Sequence, residues 1–220
     1  MDAPEPGTVF GWPITDEDAT RRLAADTRSL VNAIRRADAP TADLDRAAAL
    51  VREATALLAP HRVEGVPMQG RVGADGPVGG QSTDPSTFFP WSPIIGPLSP
   101  LSAAMRLTFD AATGTMHGTA TFDTQFTGPP GMVHGGVIAL AFDELLGSTN
   151  VCLQLGAFTG TLSVRYERPT PIETEVTLEA RIDRVEGRKV FTVGTIGHAG
   201  AVTARAEGIF IRTGLWEGRG

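Results

Sequence analysis

Apolar positions along the chain follow two different periods, which predict helices first and strands later. Up to Pro60 they recur every three or four residues in two stripes separated by Pro40-Thr41, a pattern that predicts a helical hairpin. We expect the first helix to begin at Thr15-Asp-Glu-Asp18, with a capping residue, acids in the first turn and Asp18 at the capping-box position. From Met105 onward the apolar period is two, which predicts strands.

The stretch between these regions is rich in glycine and proline, which excludes long helices and central strands. We expect a mobile loop around Gly70–Pro85. Phe88–Leu98, here called the cover segment, is too apolar to face water and is expected to lie along the main domain as an ordered cover. Simple packing is favoured for this segment over the lining of a substrate channel.

The later part of the chain alternates strands around one exceptional helix. A nearly all-apolar run begins at His134 and ends near Gln154, and a run that is apolar on every side predicts a helix in the middle of a domain. Two strands precede this helix and four follow, which predicts an α+β architecture with an antiparallel sheet curled around a central helix. The predicted strands are Met105–Phe109, Thr115–Phe122, Thr159–Arg168, Glu173–Val185, Lys189–Gly197 and Val202–Arg212.

The start and the middle of this helix both carry groups that could take part in a reaction. Gly135 and Gly136 have no side chains, so a ligand can approach their backbone N–H groups, which point outward at the positive end of the helix dipole and suit an oxyanion. Asp143 and Glu144 place carboxylates within the apolar run, where they must be paired, solvated by a cleft or kept for chemistry. Eight residues of helix, roughly 12 Å, separate Gly135 from Asp143. If both act on one bond, a second copy of the helix must supply one of them, which predicts a dimer with a shared site.

Composition narrows the function classes. The chain has 220 residues, 41% hydrophobic and 20% charged, with a net charge of −6, which disfavours general nucleic-acid binding. Its one cysteine, Cys152, excludes an internal disulfide, and the four histidines have no metal-ligand spacing, so no metal is expected. The N-terminus lacks the apolar run of a signal peptide, and no membrane span is expected, so a cytoplasmic location is the default.

Four local motifs, in order, resemble those of one enzyme family. They are Gly131-Met-Val-His-Gly-Gly136 with Asp143 nine residues after His134, Thr159-Gly-Thr-Leu-Ser-Val-Arg-Tyr166, Tyr166-Glu-Arg-Pro169 and Gly187-Arg-Lys189. The segment from about residue 102 to residue 213 thereby resembles hotdog-fold acyl-CoA thioesterases of the PaaI-like and thioesterase superfamily member four type. The implied fold is the hotdog fold, an antiparallel sheet wrapped around a central helix, here with an N-terminal helical extension. The resemblance covers the hotdog domain (102–213), and the pattern along the chain adds a tail and helical hairpin (1–60), a linker with the cover segment (61–101) and a C-terminal tail (214–220).

The resemblance implies hydrolysis of an acyl-CoA thioester by a homodimer or a dimer of dimers with shared active sites. It implies no cofactor, since coenzyme A is part of the substrate. The Gly135 N–H would polarise the thioester carbonyl, with Gly136 beside it, and Asp143 of the other chain would act as general base on water or as nucleophile. Thr159 would orient the water or the carboxylate, and Thr161 is the second candidate for that role. His134 would shape the turn and bond near the carbonyl. Arg188 and Lys189 would bind the CoA phosphates.

Several alternatives stay open at this point. His134 is either a turn-fixing residue or a proton shuttle, and Glu144 is a second carboxylate with a possible catalytic role. Some family branches place an Asn or Gln shortly before the glycine pair, whereas here Gly128-Pro-Pro-Gly131 fills that stretch and Gln125 is the nearest amide. Two other functions compete with hydrolysis: an enoyl thioester hydratase or dehydratase that pairs His134 with Asp143 or Glu144, and a non-catalytic acyl-CoA binding protein whose N-terminal hairpin docks a partner.

Overall fold

The structure is a computed structural model that describes residues 15–63, 68–73, 76–77 and 82–213. The predicted tails at 1–13 and 214–220, and part of the predicted loop at Gly70–Pro85, lie outside the described residues. The helices and strands are, in chain order, α1 (Glu17–Arg36), α2 (Thr41–Leu58), β1 (Val72–Gly73), β2 (Gly76–Pro77), β3 (Arg106–Asp110), β4 (Thr115–Thr121), α3 (Gly135–Cys152), β5 (Ala157–Tyr166), β6 (Glu175–Glu186), β7 (Lys189–His198) and β8 (Ala201–Arg212).

Six strands form one antiparallel sheet in the order β3-β4-β6-β7-β8-β5. The two-residue period that predicted these strands comes from burial of one face only, as in β7, where Val190 and Ile196 are fully buried while Lys189 is exposed. β5 follows α3 in the chain but pairs with β8 at the edge of the sheet, so its other edge has no strand partner within the described residues. This edge is the one that flanks the candidate site.

Helix α3 is the centre of the core and lies across the inner face of the sheet. Ala141, Phe142, Leu145 and Leu146 are fully buried, and α3 contacts every strand of the six-stranded sheet. A sheet that wraps one apolar helix is the hotdog fold, and both the α+β class and this architecture are confirmed. The helix ends two residues before the predicted Gln154, which itself adopts a positive φ of 55°.

The cover segment is ordered and closes the core on the side of α3 away from the sheet. Phe88, Ile94 and Leu98 are buried to within 1% of full burial, which confirms that this segment lies along the main domain. The buried Ser92 hydroxyl donates a 2.7 Å hydrogen bond to the Glu144 carboxylate and accepts the N–H groups of the two isoleucines that follow at 94 and 95. Burial raises the pKa of Glu144 to about 7. The hydrogen bond from Ser92 lowers this pKa in part, and the nearby charge of Asp143 raises it by a smaller amount.

Helix α1 begins one residue later than predicted. Asp16, not Thr15, is the N-cap, and its carboxylate accepts the Ala19 N–H at 2.8 Å. A carboxylate at this position accepts an unpaired amide and complements the helix dipole, and the shift places Ala19 instead of an acid at N3, so no capping box forms.

α1 is tied to the rest of the chain at three places along its length, the first being a 2.7 Å ion pair between Glu17 and Arg71. Arg28 donates a 2.7 Å hydrogen bond to the Ser99 carbonyl just beyond the cover segment. At the C-terminal end, Arg36 donates to the Thr124 hydroxyl at 2.9 Å and forms an ion pair with Glu173. Thr124 belongs to the short 3-10 turn Thr124–Phe126, so α1 contacts the segment that leads into the start of α3.

Helix α2 forms where it was predicted, but it does not pack against α1 as a helical hairpin would. Every residue of α2 is exposed, including its leucines, and none is buried against another described part of the chain. The pattern of apolar residues therefore predicted the helix correctly and its intramolecular packing wrongly.

Replacing Glu144 with Gln should change how stability depends on pH. The folded state holds the Glu144 proton up to about pH 7, while an unfolded glutamate releases it near pH 4.5, so wild-type stability falls as pH rises between these values. The loss amounts to about 3 kcal/mol, from 1.36 kcal/mol per pKa unit. Gln keeps an oxygen that accepts the Ser92 hydroxyl but carries no charge. Urea unfolding at pH 4.5 and pH 8 should show that Glu144→Gln gains stability relative to wild type at the higher pH.

The exposed Glu207 provides the control, because its carboxylate faces solvent. Glu207→Gln should leave the difference between the two pH values unchanged. If Glu144→Gln behaves like this control, the buried carboxylate does not carry the proton that its environment implies.

Candidate active site

The turn before α3 is shaped by glycines that admit no side chain. A Cβ on Gly128 would lie 2.7 Å from the His134 Cα, and Gly131 has a φ of +75°. The His134 N–H donates to the Phe126 carbonyl at 2.8 Å, and Thr127 bridges Val133, so the two sides of the turn are held together. The chain therefore enters α3 in a fixed direction.

His134 is the N-cap of α3. Its ring Nδ1 accepts the Gly136 N–H at 3.0 Å, which requires that this nitrogen carries no proton. Of the alternatives considered for His134, this contact supports the turn-fixing one. The neighbouring Gly135 N–H has no acceptor among the described residues, because the first amide of a helix has no partner within the helix. The arrangement leaves one outward-pointing donor at the positive end of α3.

Tyr166 fixes Gly135 from the other side. Its hydroxyl donates a 2.8 Å hydrogen bond to the Gly135 carbonyl, and its ring lies 3.6 Å from the position of a Gly135 Cβ. The sequence motif contained Tyr166 but gave no role to it, because the contact joins residues 31 positions apart. An aromatic hydroxyl at the end of the strand after the helix was the available signal.

Asp143 and Thr159 are in direct contact. The Thr159 hydroxyl donates to Asp143 Oδ1 at 2.8 Å. Asp143 is half-buried and Thr159 is exposed, so this carboxylate remains accessible while its neighbour Glu144 is sealed beneath the cover segment. The threonine orients one carboxylate oxygen and leaves the other available to a ligand or a water.

A β-bulge separates Thr159 from Thr161. Thr159 pairs with Phe210, whose side chain is buried in the core, whereas Thr161 pairs with Ile209 on the following register position. Directly paired residues face the same side of a sheet, so the bulge at Gly160 turns Thr161 to the face opposite Thr159. Thr161, the second candidate for orienting the carboxylate, therefore does not reach Asp143 of its own chain.

The cations Arg188 and Lys189 lie at the hairpin between β6 and β7, where Gly187 has a φ of +58°. Lys189 pairs with Ile211 on β8, and Ile211 pairs with Phe158 on β5. Lys189 therefore lies two strands, roughly 10 Å, from Phe158, the neighbour of Thr159 in the chain. Arg188 donates to the Arg212 carbonyl at 3.2 Å and is exposed. Both cations are therefore at the same end of the sheet as Thr159.

Other candidate groups are not part of this arrangement. Among the described residues, no three His, Cys, Asp or Glu side chains lie together as metal ligands would. Burial raises the pKa of the Cys152 thiol to about 12, which disfavours the reactive thiolate. The side-chain oxygen of Gln125 is buried without a hydrogen-bond partner in the described part of the chain. None of the helices in the described ranges is both long and apolar enough to cross a membrane.

Comparison with known proteins gives one consistent result. Residues 130–204 match the family model described as the thioesterase superfamily. The fold matches a crystal structure described as a thioesterase superfamily protein with a TM-score of 0.76 and 32% sequence identity, over 94% of this chain and 96% of that one. The match includes the N-terminal helices as well as the sheet.

Two curated relatives match over shorter stretches. Acyl-coenzyme A thioesterase THEM4 of Xenopus laevis is 43% identical over 65 residues, which is 30% of this chain and 29% of the relative. Acyl-coenzyme A thioesterase THEM5 of Homo sapiens is 31% identical over 93 residues, which is 41% of this chain and 37% of the relative. The matched stretches thus cover less than two fifths of the length of these relatives.

The capping role of His134 can be tested by stability. His134→Ala removes the acceptor of the Gly136 N–H and should lower the free energy of unfolding by about 1 kcal/mol, whereas His134→Asn supplies a side-chain oxygen that caps well and should restore it. Urea unfolding of the three proteins measures this directly. Equal destabilisation by Ala and Asn would show that the ring does not act as the cap.

Proposed function

The chain belongs to the thioesterase superfamily, and from this membership and the geometry at the start of α3 we propose that it hydrolyses acyl-CoA thioesters to the free acid and coenzyme A. One observation carries the proposal: α3 presents an unpaired Gly135 N–H at its start and an accessible, threonine-bonded Asp143 at its middle. Together these groups suffice for thioester hydrolysis: a donor for the carbonyl oxygen and a carboxylate that brings water or its own oxygen to the carbon.

The chemical steps follow from these groups. The Gly135 N–H donates to the thioester carbonyl oxygen and stabilises the negative charge that develops there. Asp143 either takes a proton from water as the water oxygen adds to the carbonyl carbon, or adds its own oxygen to give an anhydride that water then opens. In both cases the carbon–sulfur bond breaks, and the CoA thiolate leaves and takes up a proton.

The two groups come from different copies of the chain. Within one helix they are eight residues apart, roughly 12 Å, which is too far for one carbonyl. β5 carries the supports of both, with Thr159 near its start and Tyr166 at its end, and it has an unpaired edge in the described structure. If two β5 strands pair antiparallel across a two-fold axis, the Thr159 end of one lies beside the Tyr166 end of the other. Asp143 of one copy then approaches Gly135 of its partner, so the active form is at least a homodimer.

The cation pair Arg188 and Lys189 supplies the contact for the CoA phosphates. Both side chains are exposed at the end of the sheet that holds Thr159, and neither forms an ion pair with a carboxylate among the described residues. Their neighbour Arg184 is already engaged, since it pairs with Asp183 and Glu186 and lies over the Phe191 ring at 3.6 Å. A phosphate is therefore expected to recruit Arg188 and Lys189 first.

The alternative of an enoyl thioester hydratase has less support. That chemistry requires a histidine whose ring exchanges a proton beside an acid, whereas the His134 Nδ1 accepts a backbone N–H. Glu144, the other acid considered, is buried and bonded to Ser92, on the side of α3 that the cover segment occupies. Within one chain, His134 forms no hydrogen bond with either acid.

Gly135→Pro tests the proposed carbonyl donor because it removes a single backbone N–H group. Proline is tolerated at the first position of a helix, and the preceding His134 already has an extended ψ of 134°, so the change removes the N–H without breaking α3. Turnover of an acyl-CoA should fall by about 10²- to 10³-fold. Gly135→Ala keeps the N–H and adds a side chain at the same place, so it is the steric control, and its turnover should stay well above that of Gly135→Pro. Equal turnover of the two variants would contradict the assignment of this donor.

Subunit mixing tests whether the site is shared. Asp143→Asn and Gly135→Pro should each be inactive as homodimers while still binding CoA. A mixed dimer of the two variants, isolated with two different affinity tags, contains one site with both groups intact and should recover about half of the wild-type turnover. If each site lies within one chain, both sites of the mixed dimer are damaged and no activity returns.

A further inference from the structure

Helix α2 exposes a continuous apolar face that the rest of the described chain leaves uncovered. Its leucines and its valine are exposed by between 42% and 69%. At about 100° per residue, the large and small apolar side chains gather on one side of the helix, and only Asp43, in the first turn, adds a charge to that side. The apolar face consists of Leu44, Ala47, Leu50, Val51, Ala54, Leu57 and Leu58.

A helix of this length needs a partner for such a face. α2 has 18 residues and no buried side chain, so it lacks the tertiary packing that supplies most of the stability of helices in proteins. The alanines and leucines of α2 favour the helix, but propensity supplies less stability than packing. The connection from α1 is extended at Ala37 and Pro40, with ψ angles of 131° and 144°, and carries α2 away from α1.

The charges of α2 disfavour a lipid surface as the partner. The helix carries three acids and two arginines, for a net charge of −1. Helices that lie on membranes are rich in Lys and Arg on the polar face, so α2 does not suit an anionic membrane. Alanines that alternate with leucines along the face instead allow another helix to approach closely, with the large side chains of one helix between the small ones of the other.

The two charges beside the apolar face make α2 complementary to itself. Arg46 and Glu53 are seven residues apart, so they lie on the same edge of the face, in the place of the charged flanking positions of a coiled coil. When a second copy lies antiparallel, the same edges meet with their order reversed, so Arg46 of each copy faces Glu53 of the other. The midpoint between these two residues is also the midpoint of Thr41–Leu58, so the charges match when the two helices overlap along their whole length. The helix dipoles of an antiparallel pair are favourably arranged as well.

We propose that α2 is a second self-association surface, which pairs antiparallel with α2 of another copy of this chain about a two-fold axis. Leu50 lies at the centre of the pair, because the midpoint of the helix falls between Ala49 and Leu50. This contact is distinct from the β5 edge and does not involve the groups proposed for hydrolysis. It gives the N-terminal extension a role in assembly, whether or not the chain hydrolyses acyl-CoA.

Leu50→Glu tests the surface, with Ala49→Glu as the matched control on the opposite side of α2. Both positions are exposed in a single chain, so both variants should fold alike, as circular dichroism would verify. Leu50→Glu places two like charges at the centre of the seam and should weaken association in sedimentation equilibrium by about tenfold or more. Ala49→Glu should associate as wild type does. Equal association of the two variants would overturn the proposal.

A charge exchange tests the antiparallel arrangement. Arg46→Glu alone places an acid opposite Glu53 of the other copy and should weaken association, and the double variant Arg46→Glu/Glu53→Arg should restore it. In a parallel pair, the edge that carries Arg46 and Glu53 would instead meet the opposite edge of the other helix. Ala48 and Thr55 on that edge carry no charge, so Arg46→Glu alone would have no effect. Unchanged association of Arg46→Glu, or a double variant as weak as the single one, would overturn the antiparallel pairing. The readout is association alone, so loss of turnover in an active-site variant has no bearing on it.

Discussion

Helix α3 must be buried along its length and yet open at its first turn. Its middle fills the space between the sheet and the cover segment, while the Gly135 N–H at its start points away from the core without a partner in the described chain. The helix dipole makes that end attractive to an oxygen that gains negative charge. The turn, the cap and the strand after the helix all serve to keep this one donor in place.

The two neighbouring acids of α3 show how burial divides similar groups. Asp143 is half-buried and bonded to Thr159, whereas Glu144 is sealed under the cover segment and bonded to Ser92. Because consecutive helix residues face different directions, one acid is open to chemistry and the other ties the N-terminal region to the core. The pKa of Glu144 is raised because this closure removes its carboxylate from water.

Local patterns predicted the elements well and the relations between distant residues less well. The two periods of apolar residues predicted α1, α2 and the strands, and a run that is apolar on every side predicted the buried helix. The Asp143–Thr159 contact followed from a motif resemblance rather than from the pattern. The bulge at Gly160 was not predictable, since it depends on the pairing of β5 with β8, and it moved Thr161 to the opposite face. The Tyr166 contact with Gly135 and the Ser92 contact with Glu144 join distant positions and left no periodic signal. The prediction that α2 packs on α1 was wrong for a related reason. An apolar stripe indicates that a helix needs a partner, but it does not indicate which partner.

In the proposed dimer, two copies of α3 act on one thioester, with the start of one helix and the middle of the other. A crystal structure of the protein with a non-hydrolysable acyl-CoA ketone analogue tests it most directly. We expect the ketone oxygen within about 3 Å of the Gly135 N–H of one copy and the carbonyl carbon beside Asp143 of the other. A ketone bound by Gly135 with no partner carboxylate near its carbon, or bound within a single copy, would contradict it.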